Sequence, residues 1–398
     1  MNRRILLLAA FGLVAALVAF WSPPASGIPV FARKYGYNCT MCHSAFPRLN
    51  DFGARYRMNG YRLPGEEQKE RTVLESPPPF AARVHAGFDY VNSERDPQGQ
   101  DVTRFSVTGF DLLSAGLLGQ HIGYLVVYPP SLPEARGIAG QQGSLEMANV
   151  VFSSLGTRWL NVRAGRFEPA YAVFSDKRRL TFTPYLPYEA SFPGGPPLSE
   201  TQEGIEITGY QFSGFSYAAG WINGSSTNRL SDFPEDLYAR VAYVFGRGEG
   251  QTSGQRLGLT GIFGRARPQA GAADRQRHLR LGADASLNYR QLNLELQYFL
   301  SRDQGPLWGE GSEVTTSSGS AQLNYFPMTS LAAFARFGLL LTPEEIDSDA
   351  WQAVGGARYY FVDNLALHGE YAYRSQQLQG QELRAFEHFA TLRLDWAF

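Results

Sequence analysis

The chain is poor in cysteine. There are only two, at positions 39 and 42 of 398 residues. A disulfide framework needs several spaced pairs, so a stapled scaffold is excluded. It also has no long apolar run after the first twenty residues, which excludes a bundle of membrane-spanning helices. Charge is scarce as well. Asp, Glu, Lys and Arg make up 18% of the chain, against 14% aromatic residues and 42 glycines, and the formal net charge is −1. That balance offers no electrostatic footprint for nucleic acid.

At the start of the chain, Arg3 and Arg4 precede an apolar stretch from Ile5 to Phe20, then Pro23, Pro24 and the small residues Ala25-Ser26-Gly27. This predicts a cleaved export signal over 1–27 rather than an anchor, because the apolar stretch is shorter than the ~20 residues that cross a bilayer. About 371 residues remain, and losing Arg3 and Arg4 takes the net charge to −3.

Both cysteines belong to one motif, Cys39-Thr40-Met41-Cys42-His43. Two thiols separated by two residues and followed by histidine match covalent attachment of a c-type haem: the thiols add across the porphyrin vinyl groups and His43 binds the iron. A thioredoxin-like redox pair would need a βαβ context, and zinc would need further Cys or His nearby, whereas the next histidine is His85. One covalent haem c is therefore expected, with Cys39 and Cys42 as attachment points and His43 as axial ligand.

Downstream, Leu49 to Met58 reads as a short amphipathic helix capped by Asn50 or Asp51, with Leu49, Phe52 and Tyr56 on one face. For the sixth iron position the segment offers Met58, since Met41 lies inside the attachment loop. A methionine there would raise the potential relative to a second histidine. Packing of Met58 against the ring is the competing reading. A segment of 28–65 is too small to bury a haem alone, so something else must cover it.

After a Pro-rich linker over 66–79, the texture changes to short strands of period two that continue to the last residue. In 292–300, Leu292, Leu294, Leu296, Tyr298 and Leu300 alternate with Asn293, Glu295, Gln297 and Phe299. Sixteen such segments begin near 80, 102, 120, 144, 159, 202, 215, 235, 255, 277, 292, 315, 330, 350, 365 and 387. Tight turns at Ser213-Gly214, Arg290-Gln291, Met328-Thr329 and Asp363-Asn364 interleave with longer polar loops, 246–254 excepted. An even strand number and alternating loop lengths predict a mainly β fold. It is an outer-membrane antiparallel barrel of about 16 strands over 80–398, preceded by a small α-helical cytochrome segment. The terminal Trp396-Ala397-Phe398 fits the last strand of such a barrel.

Sixteen strands enclose an aqueous lumen unless something fills it. The longest loop, about 169–201, carries Lys177-Arg178-Arg179 and is the third external one, the place of a porin's constriction loop. It is expected in the lumen. His85, His121 and His368 have inward parity near the periplasmic end, and His85 is the alternative sixth ligand to Met58.

The segment Pro29-Val30-Phe31-Ala32-Arg33, the haem motif, Phe46-Pro47-Arg48-Leu49-Asn50 and Asn59-Gly60-Tyr61 together resemble the fused monohaem cytochrome–porins, of the outer-membrane iron-oxidising cytochrome type. The resemblance is sharp over about 28–65 and architectural beyond. It implies a bacterial outer-membrane location in contact with lipid, with the haem segment on the periplasmic side or in the lumen. It also implies electron transfer between an extracellular donor such as Fe(II) and a periplasmic carrier, a cytochrome or cupredoxin, with Fe(II) oxidase activity as the enzymatic form of that reading. The alternative is a substrate-selective porin in which the cytochrome is a plug, gate or redox sensor, with 177–179 selecting anions.

Overall fold

The computed structural model describes residues 30–63, 70–75, 78–93, 101–132, 143–157, 159–171, 175–189, 197–210, 214–224, 236–246, 254–266, 276–304, 313–343, 348–377 and 384–398. The expected signal 1–27, part of the linker and Ser213 lie outside these residues. The N-terminal segment contains α1 (Val30–Tyr35), a ladder of β1 (His43–Ala45) with β2 (Arg48–Leu49), and α2 (Asp51–Met58). The strands that follow are β3 (Phe80–Ser93), β4 (Val102–Gly119), β5 (Ile122–Tyr128), β6 (Met147–Phe152), β7 (Asn161–Phe167) and β8 (Gln202–Tyr210). Next come β9 (Phe215–Ile222), β10 (Asp236–Phe245), β11 (Gln255–Ala266), β12 (Gln276–Tyr289) and β13 (Leu292–Gln304). The last are β14 (Glu313–Met328), β15 (Leu331–Leu341), β16 (Ala350–Val362), β17 (Leu365–Gln377) and β18 (Arg384–Ala397). A one-turn helix, α3 (Leu186–Glu189), lies between β7 and β8.

β3 to β18 close into a 16-stranded antiparallel barrel. Closure is made by β18 on β3, with Ala397 opposite Arg83 and Glu387 opposite Ser93. Every strand then has two neighbours and no edge remains unpaired. The sixteen strands begin within a few residues of the positions expected from the alternation.

The two parities of each strand have opposite fates, and they exclude a soluble sandwich. In β13 the buried residues are Asn293, Glu295, Gln297, Phe299, Ser301 and Asp303, while Leu292, Leu296 and Tyr298 are exposed on the outside. Glu295 is 2% exposed and Tyr298 is 49%. A sandwich would bury the leucines. Here the outer face is an apolar band and the polar residues form the packed interior. Aromatics flank the band: Tyr289, Tyr325 and Tyr359 are exposed toward one rim, and Trp351, Tyr373 and Phe386 pack on one another at the other.

Both ends of the barrel chain and its tight turns share one rim. Tyr289 pairs with Leu292, Met328 with Leu331 and Val362 with Leu365 across two-residue turns. Arg290 at one of these turns has φ 52°, in the left-handed region such turns require.

Two pieces of chain fill the lumen. From the tight-turn rim enters the N-terminal segment, held by inward side chains from around the ring. Arg48 donates to Glu295 (2.5 Å) and Asn293 (2.8 Å), Arg256 to Asp51 (3.1 Å), and the Tyr360 hydroxyl to the Phe46 carbonyl (2.6 Å). The other piece is the long loop between β7 and β8. Arg336 donates to Thr181 (2.9 Å) and the Thr183 carbonyl (2.8 Å), Glu370 accepts from the Phe182 and Thr183 amides (2.8 and 2.7 Å), and Arg240 donates to the Tyr171 carbonyl (3.2 Å). The loop thus folds inward, as its place in the chain order predicts.

Candidate haem site in the lumen

Cys39 opens a single 3-10 turn, Cys39–Met41, in which the Cys42 amide donates back to the Cys39 carbonyl (3.2 Å). The turn brings both thiols to one side and starts β1 at His43. Asn50 clamps this turn to α2. Its amide nitrogen donates to the Met41 carbonyl (3.0 Å), its backbone N–H to the Cys42 carbonyl (3.0 Å), and its Oδ1 accepts the Gly53 N–H (2.9 Å) as N-cap. Gly53 is dictated by the same contact, since a Cβ there would stand 2.2 Å from the Cys42 carbonyl oxygen. The Cys39 amide donates to Asp363 (3.2 Å) in the β16–β17 turn, which ties the motif to the barrel rim.

The His43 Nδ1 lies 3.0 Å from the Pro47 carbonyl, and a carbonyl can only accept, so Nδ1 carries the proton and Nε2 the lone pair. Burial pushes the imidazole pKa down to about 4, so the ring is neutral. Burial also raises the thiols, Cys39 to about 12 and Cys42 to about 11. These groups are poor thiolates, suited to a neutral thioether rather than to a cation.

Cys39, Cys42 and His43 all border one cavity of about 250 Å³. A water needs roughly 10–15 Å³ of such space, so this cavity has room for a far larger guest. One wall is formed by Phe31, Tyr56 and Leu63 of the N-terminal segment together with Leu125, Val127 and Met147 of the barrel. Arg57, Arg83, Lys177 and Arg178 border the same space. Two thiols, one free imidazole nitrogen, apolar walls and cations match a macrocycle that is flat, greasy and bears carboxylates. Among the described residues no group of three or more His, Cys, Asp or Glu could hold a bare metal ion, so the zinc reading has no ligand set.

The structure separates Met58 and the other histidines picked from the sequence from this cavity. Met58 lies with Asp51 and Ala54 on the opposite face of α2 and lines a second, charged cavity with Arg163 and Arg240. Gly53 and Tyr56 border the space beside His43, and Leu49 and Arg57 line both cavities. Phe52 packs against the Tyr56 cluster. His85 has Nε2 3.4 Å from Asp395 and its ring against Phe182, outside the cavity lining. His368 is held by Glu370 (3.1 Å), and His121, in the β4–β5 turn, lies beside Arg62 (3.4 Å).

The basic run of the long loop is spoken for. Lys177 pairs with Glu146 (3.1 Å), Arg178 with Glu168, and Arg179 with Asp176 (3.2 Å). Burial alone would raise the Glu168 carboxyl. Arg178, Arg57, the Ser175 hydroxyl and the Lys177 amide instead bring it down to about 2. Two residues important here were not singled out by sequence reasoning: Asn50 beyond its cap role, and Met147.

The fold is that of a 16-stranded porin-type barrel. It is similar to an anion-selective porin from Comamonas acidovorans (TM-score 0.61, 16% identity, covering 80% of this chain and 98% of that one). It is also similar to the outer-membrane channel DcaP of Acinetobacter baumannii (0.59, 12%, 80% and 96%) and to OmpF of Salmonella typhi (0.54, 11%, 80% and 97%). At these identities the likeness is one of fold. No protein-family model and no curated protein matches the chain.

Proposed function

We propose that this chain is a bacterial outer-membrane barrel whose lumen is filled by a haem-bearing N-terminal segment, and that it passes electrons between an extracellular donor and a periplasmic carrier. One observation carries the reading: Cys39, Cys42 and His43 line a single, largely apolar cavity inside the barrel, with cations beside it. Cys39 and Cys42 would hold the group through thioethers, and His43, oriented by Pro47, would bind its iron. Arg57 and Arg178, paired with Glu168, Arg83, paired with Asp395, and Lys177, paired with Glu146, border the space its carboxylates would enter. A haem so held supplies a one-electron centre: with Fe(II) as donor, one electron leaves the metal, giving Fe(III), and passes on to a one-electron carrier such as a cytochrome or cupredoxin. The chain's own part is to exclude water from that centre and place it near the rim where the barrel begins and ends. The resemblance to fused cytochrome–porins supports this reading and supplies Fe(II) as the first donor to try. The apolar outer band and the porin fold support the outer-membrane location.

The test is direct. The purified protein, oxidised and mixed with Fe(II), should develop the spectrum of a reduced c-type haem, and a periplasmic-type carrier should re-oxidise it. An unchanged spectrum with Fe(II) and with other one-electron donors removes the electron-transfer function.

A second reading is a substrate-selective porin in which the segment is a plug, gate or redox sensor. The porin fold of the solved relatives and the arginine-rich second cavity favour it. Conductance in planar bilayers that depends on applied redox potential, without Fe(II)-driven reduction, would select this reading over the first.

A further inference from the structure

We infer that Met147, on the barrel wall, supplies the sixth ligand to the haem iron, so that the barrel rather than the N-terminal segment completes the metal site. This rests on the haem reading above. His43 and Met147 line the same cavity, and their neighbours belong to different apolar clusters. His43 sits edge-on to Phe46 (5.2 Å between ring centres), and Phe46 packs into the apolar cluster of Ala45 and Tyr360. Met147 belongs to a separate cluster with Tyr56, Tyr61, Leu125 and Val127. A flat ring between the two clusters would meet His43 from one side and Met147 from the other.

Two of the other polar groups on the cavity are already engaged. The Tyr35 hydroxyl is bonded to Glu70 (2.6 Å) and Lys177 to Glu146 (3.1 Å). A thioether is neutral, needs no deprotonation, and is one of the standard axial partners of a histidine-bound haem. Among the described residues that line the cavity, Met147 is the one methionine, and His43 the one histidine. Met58 is on the wrong face of α2, and His85 and His368 lie elsewhere. Met147 is also firmly placed. It is 4% exposed, opens β6 opposite Val127, and follows Glu146, whose amide donates to the Val127 carbonyl (3.0 Å). A ligand on a paired strand is held more rigidly than one on a short helix end.

The experiment uses the full-length holoprotein. Wild type should give a low-spin ferric spectrum with the far-red band of sulfur-to-iron charge transfer. Met147→Leu should lose that band, become high-spin, take up carbon monoxide when reduced, and shift to a lower potential. Met147→His should stay low-spin, lose the sulfur band and also fall in potential, and Met58→Leu should match wild type throughout. Met147→Leu with the wild-type band and potential overturns the inference. Should that variant fail to fold, judged by heat-modifiable gel mobility, Met147→His decides alone, and an unchanged band and potential there overturns it too. Absence of denaturation-resistant haem stain in wild type would instead defeat the haem reading itself.

Discussion

Two arcs of the same barrel treat their lumen side differently. Along β10–β14 many inward residues are charged or polar, as with Arg240, Asp284, Glu295 and Gln297, and they bond to one another or to the chain inside: Arg240 to Asp284 (2.8 Å), Glu295 to Arg48 (2.5 Å). Along β5 the inward residues are Gly123, Leu125 and Val127, while Tyr124, Val126 and Tyr128 face out, so the strand is apolar on both faces. That pattern belongs to a strand buried on both sides. With Leu113 of β4 and Met147 of β6, Leu125 and Val127 line the cavity beside Cys39, Cys42 and His43. The difference teaches that one stretch of a largely polar-lined barrel presents an apolar surface to its interior.

Several substitutions would break or sharpen this contrast. The largest effect is expected from Cys39→Ser with Cys42→Ser, which should abolish haem stain that survives denaturation. Stain persisting in the double variant would refute covalent attachment. Next, Leu125→Arg should place a charge in the apolar wall of β5 and cost roughly 3–5 kcal/mol, read as a fall in the urea midpoint of heat-modifiable mobility. An equal tolerance of arginine here and at lumen positions of β13 would erase the distinction between the arcs.

On the outer face, Leu294→Arg or Leu296→Arg should cost about 2–4 kcal/mol if the site is mid-bilayer, by the same measurement. Full tolerance at both would mean that these leucines do not meet lipid. In the polar arc, Glu295→Gln removes the partner of Arg48, whose other bonds to Asn293 and Ser44 remain, so a smaller loss of roughly 1–3 kcal/mol is expected.

The smallest effect concerns acid. Glu168 titrates near 2 when folded, below the ordinary carboxylate value of 4.5. Its depressed value means that its stabilisation is present above about pH 4.5 and is lost as pH falls from there toward 2. Protease cleavage in the long inner loop should therefore rise over that window, and less so in Glu168→Gln. A flat profile in wild type would show that Glu168 does not anchor the loop.

Much of this was legible in the chain. Period-two alternation marked all sixteen strands, because a barrel wall with lipid outside and polar residues inside must alternate, and 292–300 showed it plainly. The inward course of the long loop followed from its place in chain order. Met58 shows where such reasoning stopped. It is near His43 in sequence, but 3.6 residues per turn put it with Asp51 and Ala54, away from Gly53 and Tyr56. A signal for the other wall did exist in 122–128, whose apolar residues fill both parities, but it points to a buried strand without saying what lies against it.

The sequence by itself determined the local pattern: the Cys-x-x-Cys-His motif at 39–43, the Asn50 cap, the strand faces and their number. These depend on residues a few positions apart. Only the tertiary structure decided which distant groups share the lumen, bringing Met147, Arg83 and Arg178 to the cavity of Cys42 and His43 and leaving Met58 and His85 outside it. Barrel closure sets those meetings, because β18 pairing with β3 folds 319 residues of wall around a segment that precedes them all.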